Sequence, residues 1–191
     1  MKQKKIKVYG LIVARSGSKR LPNKNTMLLN GKYLIEYTID AASQSDFITD
    51  IVVSTDDPVI KTISKRDGIK YINRKKNLCT DNVSMQEVVN DFIRLFPDYG
   101  CIVLLQPTSP LRTSSDIDRC IHMFINNNFD SVVSVTEIAP FTYYPNGAVY
   151  VFKNKIYTDN MELFLMPKDR SVDIDTIFDL KLCEYVLGCD R

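Results

Sequence analysis

Residues 6–14, IKVYGLIVA, form an almost unbroken apolar run rich in β-branched side chains, ending abruptly in the polar stretch RSGSKRLPNKN. Such a run predicts a central strand buried on both faces and feeding a polar loop. From Leu34 the period changes: Leu34, Ile35, Thr38, Ile39, Ala41 and Ala42 make one helical stripe,. IVVST at 51–55 then reads as a second strand,.

The alternation continues. Asp57 is placed to cap a helix with Pro58 at its first position, Val59, Ile60 and Ile63 facing inward and Gly68 just past its end,. A short strand is predicted near Tyr71. Ser84 with Glu87, and Thr113 with Asp116, have capping-box spacing, and each opens a stripe: Val88, Val89, Phe92 and Ile93, then Ile117, Cys120, Ile121 and Phe124,. Strands are predicted at 101–106 (CIVLLQ), 131–135 (SVVSV) and 147–152 (GAVYVF), followed by an irregular stretch, the segment SVDIDT, and a last helix opened by Thr176 and Asp179 and closed by Gly188.

Strands and helices in regular turn predict an α/β fold of three layers, a mostly parallel sheet with helices on both faces. No linker, repeat or low-complexity segment interrupts residues 1–191, which read as a single domain,. In such sheets ligands sit beyond the carboxyl ends of the strands, so the loops after Ala14, Thr55 and Gln106 are expected to converge.

Composition narrows the chemistry. With 25 basic against 23 acidic residues, a net charge of +2 lacks the surplus a nucleic-acid binder needs,. Five cysteines without a CxxC pair fit a reduced compartment, and the apolar run after the basic start MKQKKIK is too short to span a bilayer, so a soluble cytoplasmic chain with no membrane partner is expected,. The lone histidine, His122, lies off its helix's apolar stripe; Ser-His-Asp and Cys-His catalysis are therefore excluded, and zinc lacks suitably spaced ligands,.

A metal-assisted mechanism is what remains. Arg15, Lys19, Arg20 and Lys24 fall within ten residues, interleaved with Ser16, Gly17 and Ser18, directly after a buried strand. Glycine lets the backbone approach closely while N–H groups, hydroxyls and cations meet phosphate oxygens; the alternative is a solvated basic turn. The loop is neither a P-loop nor a GxGxxG fingerprint. Asp173 and Asp175 are two apart, so an extended SVDID points both carboxylates to one face, an arrangement that suits magnesium; otherwise Asp173 caps a turn and Asp175 tops the last helix,. Pro107 and Pro110 stiffen the loop carrying Gln106, Thr108 and Ser109,. Asp57 is the helix cap, which makes Asp56 and Asp57 a weaker case for a site.

ARSGSKRLPNKN closely resembles the signature loop of the acylneuraminate cytidylyltransferases, which make CMP-activated sialic acids. LLQPTSPLRT from Leu104 to Thr113, SVDIDT from Ser171 to Thr176, and PNGAVY from Pro145 to Tyr150 are similar to further signatures of that family, in order along nearly the whole chain. The resemblance implies a Rossmann-like nucleotide-diphospho-sugar transferase fold and transfer of CMP from CTP to a nine-carbon 2-keto acid sugar of sialic, legionaminic or pseudaminic type. It implies that Arg15 and Lys24 hold the triphosphate with Lys19 assisting. Ser18, Asn25, Arg74 and Gln106 would contact the nucleotide, Gln106, Thr108 and Asn146 the sugar, and Asp173 and Asp175 a Mg2+ ion. Arg112 either pairs with the acceptor carboxylate or makes a structural ion pair.

One departure stands out. Only eleven residues, TEIAPFTYYPN, separate SVVSV from GAVY, where the family usually inserts a segment tens of residues longer that supports a homodimer and the sugar pocket. Tyr144 stands where the family often has arginine. The insertion between about 136 and 145 is thus either naturally short or missing from the chain. Two other readings stay open: a CTP-binding homologue without transferase activity, and a cytidylyltransferase for an eight-carbon keto acid sugar.

Overall fold

The computed structural model describes residues 6–189, with only the backbone described at Cys189; the basic start through Lys5 lies outside the described residues. In chain order the elements are β1 (Val8–Val13), β2 (Leu28–Leu29), β3 (Lys32–Tyr33), α1 (Leu34–Ser43), β4 (Asp50–Thr55), α2 (Pro58–Arg66) and β5 (Lys70–Asn73). They continue with α3 (Met85–Leu95), β6 (Cys101–Leu105), α4 (Ser114–Asn126), β7 (Ser131–Ala139), β8 (Thr142–Phe152), β9 (Met161–Leu165) and α5 (Ile177–Cys189).

Seven strands form one sheet in the order β5-β4-β1-β6-β8-β7-β9. β1 lies at its heart, parallel to β4 on one side and to β6 on the other. β8 runs antiparallel to both β6 and β7, and β9 is parallel to β7, so the sheet is mostly parallel as the alternation predicts. Successive side chains of β1 go to opposite faces. Val8 and Ile12 pack with Ile35 and Ile39 of α1, Ile60 of α2 and Ile117 of α4. Tyr9, Leu11 and Val13 pack with Val88, Val89 and Phe92 of α3. The three layers follow directly from this alternation. A third cluster joins Leu21, Leu29, Leu34 and Leu111 to Ile174 and to Leu180 and Cys183 of α5, tying the loop after β1 to the end of the chain.

The expected caps form. Ser84 and Thr113 accept from the backbone N–H of Glu87 and Asp116, whose carboxylates accept in return, and Asp57 accepts from the N–H groups of Val59 and Ile60. Each such cap contributes about 1 kcal/mol by satisfying helix N–H groups that have no partner within the helix.

Several expectations change. Val59 is exposed rather than inward, because the buried stripe of α2 runs through Ile60, Ile63 and Ser64 and leaves the preceding position outside. Gly188 does not close α5, which continues through Cys189. The stretch expected to be irregular holds the edge strand β9, of whose side chains only Phe164 is buried. β2 and β3 are two residues each and carry no strand pattern, although Asn30-Gly31, both left-handed, is the sequence signal of their tight turn,.

β7 and β8 extend beyond the predicted strands and join at Pro140 and Phe141, giving a hairpin through 136–145. Its outer part exposes Ile138, Phe141, Tyr143 and Tyr144. Cys79, Cys101, Cys120 and Cys183 are free thiols. Among the described residues no helix is long and apolar enough to cross a membrane.

Candidate functional site

The carboxyl ends of β1 and β6 open on a cleft of about 390 Å3; the loop after β4, also expected there, does not line it and reaches the loop after β1 only through Asp56. Its lining includes Arg15, Ser18, Lys24 and Asn25 from the loop after β1, Arg74 from beyond β5, Gln106 and Thr108 after β6, and Asp173 and Asp175. Leu78, Val83, Met85 and Val88 add an apolar wall. A larger hollow of about 790 Å3 lies between α4, β9 and the end of α1, but it holds none of the predicted site residues.

The loop after β1 is held open by specific bonds. Gly17 has φ of 69°, a left-handed conformation that a side chain would strain, although nothing near it would obstruct a Cβ,. Ser16 donates from its backbone N–H, at 2.7 Å, and from its hydroxyl to Asp56. Burial alone would raise the Asp56 carboxyl, but the hydrogen bonds from Ser16 outweigh it and hold the group below its ordinary value,. Asp56 is therefore the latch of this loop. Asn25 donates from Nδ2 to the Arg15 carbonyl at 3.0 Å, bracing the loop from within.

Its cations meet carboxylates. Lys24 Nζ lies 2.8 Å from Asp175 Oδ1, and Arg20 pairs with the other oxygen of the same group. Arg15 donates to the Cys79 carbonyl at 2.9 Å and pairs with Asp81, which Lys19 reaches at 2.6 Å. Lys19 itself stands just outside the main cleft, in the adjoining depression between Arg15 and Asp175. The basic loop and the acidic segment, more than a hundred residues apart in sequence, thus face each other.

SVDIDT is fixed from two sides. The Ile174 N–H donates to the Thr108 carbonyl at 2.8 Å, and Asp179 accepts from the N–H groups of Asp175 and Thr176 as α5 begins. Asp173 opens to the cleft, yet the protein crowding it raises its carboxyl above the ordinary value; the Asp175 charge adds to this, while the Thr108 hydroxyl and Lys24 oppose it,. Two carboxylates this close repel, and a bound dication would relieve that repulsion. Among the described residues no group of three or more His, Cys, Asp or Glu side chains is arranged to hold a metal. The donor set therefore suits only an ion content with few protein oxygens.

Arg74 is buried, 7% exposed, and donates to the hydroxyl and carbonyl of Ser54. Burial lowers its guanidinium from the ordinary value, partly offset by the nearby Cys79 thiol and Asp56 carboxylate. It stays at the cleft wall as a cation bonded to neutral groups. Gln106 packs closely on Gly147, where a Cβ would come within 2.8 Å of Gln106 Oε1 and where a left-handed φ of 76° favours glycine,.

Two predicted sugar contacts are corrected. Arg112 is 3% exposed and spends its guanidinium on the carbonyls of Gln106 and Ala148, the latter at 2.8 Å, and on the Thr38 hydroxyl. Among the described residues it is neither at the cleft nor in a salt bridge; the cation that pairs with nearby Asp116 is Arg170, at 2.8 Å. Asn146, 4% exposed, accepts from the Ser134 hydroxyl and the Ala148 N–H and donates to the Ser171 hydroxyl. Both are turned inward to hold β8 against its neighbours. Sequence reasoning misses Asp81 and the apolar wall, because a lone aspartate in a polar turn and scattered aliphatic residues carry no pattern of their own.

The arrangement resembles known proteins. The family model described as cytidylyltransferase matches residues 9–175. An N-acylneuraminate cytidylyltransferase of Streptococcus agalactiae serotype V is 34% identical over 87% of this chain and 50% of its own length, so the chain spans about half of that relative. The match runs over 205 residues, more than this chain supplies, so the relative carries residues there that this chain lacks. The CMP-N,N'-diacetyllegionaminic acid synthase of Legionella pneumophila is 31% identical over 97% of this chain and 98% of its own. A solved CMP:2-keto-3-deoxy-manno-octonic acid synthetase complexed with CTP superposes with a TM-score of 0.77 at 16% identity, over 97% of this chain and all of the other, a likeness of fold. With a family model matched across the sheet, the cationic loop and the acidic pair, the chain belongs to the cytidylyltransferase family.

Proposed function

We propose that this chain transfers CMP from CTP to a nine-carbon 2-keto acid sugar of the sialic, legionaminic or pseudaminic type, releasing pyrophosphate. The observation that carries the reading is the approach of Lys24 to Asp175, which brings the cationic loop and the acidic pair to one cleft. Arg15, Lys24 and Lys19 would neutralise the triphosphate, and the base would lie against the apolar wall with Arg74 and Gln106 fixing its polar edge. Ser18 would offer its hydroxyl to the nucleotide from the lining of the cleft, and Asn25 braces the loop through the Arg15 carbonyl. In such chemistry positioning and charge neutralisation supply most of the rate.

Asp173 and Asp175 would hold a Mg2+ ion. This ion keeps most of its shell for water and phosphate, and it would supply positive charge to the phosphates undergoing substitution. With Arg112 and Asn146 turned away, Gln106 and Thr108 are the expected acceptor contacts that line the cleft, Thr108 with only its edge exposed beside Asp173.

Incubation with CTP, magnesium and a panel of nine-carbon keto acids, followed by pyrophosphate release, tests the reading. An eight-carbon keto acid belongs in the panel. A folded protein that binds CTP but turns over with no acceptor would instead be a nucleotide-binding homologue. One observation favours that second reading: Arg112 is buried on neutral oxygens, and the hairpin through 136–145 carries no lysine or arginine. Homodimer formation through the family's longer segment is not part of the proposal, since that stretch is a plain hairpin here.

A further inference from the structure

Among the described residues three carboxylates bond to the cationic loop, and they differ in what else they hold. Asp56 accepts from the backbone of Ser16 and so shapes the loop. Asp175 stands in the acidic pair and is itself tied to the start of α5 through its N–H. Asp81 is different. Among the described residues its hydrogen bonds come from Arg15 and Lys19, the two cations on the outer side of the loop. It sits in the polar turn ahead of α3, its side chain 35% exposed. Those two donors hold its carboxyl below the ordinary value, Lys19 contributing most.

Arg15 has a second anchor. Its Nη1 donates to the Cys79 carbonyl at 2.9 Å, so the guanidinium stays in the cleft wall when Asp81 releases it. A phosphate arriving there needs the same donors that Asp81 uses. We propose that Asp81 is a positioning residue that competes with polyphosphate for Arg15 and Lys19, so that its charge weakens the binding of CTP and pyrophosphate and speeds release of the latter. This rests on the reading that the cleft takes the phosphates of CTP. A carboxylate that merely braced Arg15 would have the opposite effect, because removing it would loosen the cation and weaken binding.

The test is Asp81→Asn in the full chain, which keeps the shape and removes the charge. Calorimetric titration with pyrophosphate and with CTP, each with magnesium, should show affinity rising about tenfold, the scale of freeing two partly exposed cations from one carboxylate. Cytidine, which has no phosphate, should bind as before. In turnover the KM for CTP should fall, kcat should not rise, and pyrophosphate should inhibit at lower concentration. Asp81→Ser repeats the test should asparagine unfold the turn. Unchanged or weaker pyrophosphate binding in a folded variant overturns the proposal. Wild-type protein that binds neither CTP nor pyrophosphate would sink the polyphosphate reading itself, a result distinct from the first.

Discussion

The loops after β1 and after β6 both carry an arginine within a motif that reads as functional, and the structure uses the two in opposite ways. Arg15 keeps 31% of its side chain exposed and bonds to one carbonyl and one carboxylate, partners that a phosphate can replace. Arg112 is sealed under the second loop, with neutral oxygens of three different segments on its guanidinium and a buried Nε that has no hydrogen-bond partner among the described residues. Burial pulls that group's pKa down, and the charge of Asp116 offsets only part of it. A signature motif therefore mixes side chains that meet ligand with side chains that hold the frame, and residue type alone does not separate them.

The sharpest way to break this contrast is at the cleft. Arg15→Ala should lower kcat/KM by about a hundredfold or more and weaken CTP binding, because the lost charge serves ground and transition states alike. Steady-state kinetics with a CTP titration checks this, and an unchanged CTP affinity would remove Arg15 from the phosphate site. Asp175→Asn should cost about as much in kcat while the melting temperature holds, since a hard ligand of the proposed metal is lost. Wild-type magnesium-dependent turnover in that variant would refute the metal assignment.

Much of this is legible in the order of the amino acids. The β-branched runs, the capping boxes at Ser84 and Thr113 and the glycine after α2 mark elements through local physics, so they are readable locally. The convergence of the loops after β1 and β6 follows from one rule about parallel sheets, whereas the place of SVDIDT beside them is implied only by the family resemblance. What escapes are facts of tertiary context. Nothing in the letters distinguishes Arg112 from Arg15, because burial of a polar side chain depends on which backbone carbonyls the fold brings round it. Asn146 reads as a sugar contact for the same reason, whereas its amide is consumed by Ser134, Ala148 and Ser171. Asp81 gains its meaning only from two cations more than sixty residues earlier.

Arg112→Met sharpens the contrast from the frame side. The carbonyls of Gln106 and Ala148 would lose a buried donor, while removal of an unpaired buried charge gives some of that loss back, leaving a net destabilisation of about 2 kcal/mol. Chemical denaturation measures it. CTP affinity in the folded fraction should be unchanged, and a variant of full stability with a raised KM for the acceptor would return Arg112 to the cleft.

The smallest effect concerns how the frame holds the acidic pair. Asp116, 1% exposed, accepts from Thr113 and is gripped at both oxygens by Arg170, whose turn leads into SVDIDT. Burial alone would raise its carboxyl, but the hydrogen bonds from Arg170 and Thr113 outweigh this and hold it below the ordinary 3.8. A carboxyl depressed by folding gives stability that is complete above its unfolded value and is lost as pH falls through the folded one. Wild-type protein should therefore lose stability as pH drops below 3.8, while Asp116→Asn should be less stable near neutrality and show a shallower acid limb. Denaturation midpoints between neutral and acid pH compare the two; parallel curves would mean that the Arg170 pair contributes nothing to the frame, and that SVDIDT is held by Thr108 and Asp179 alone.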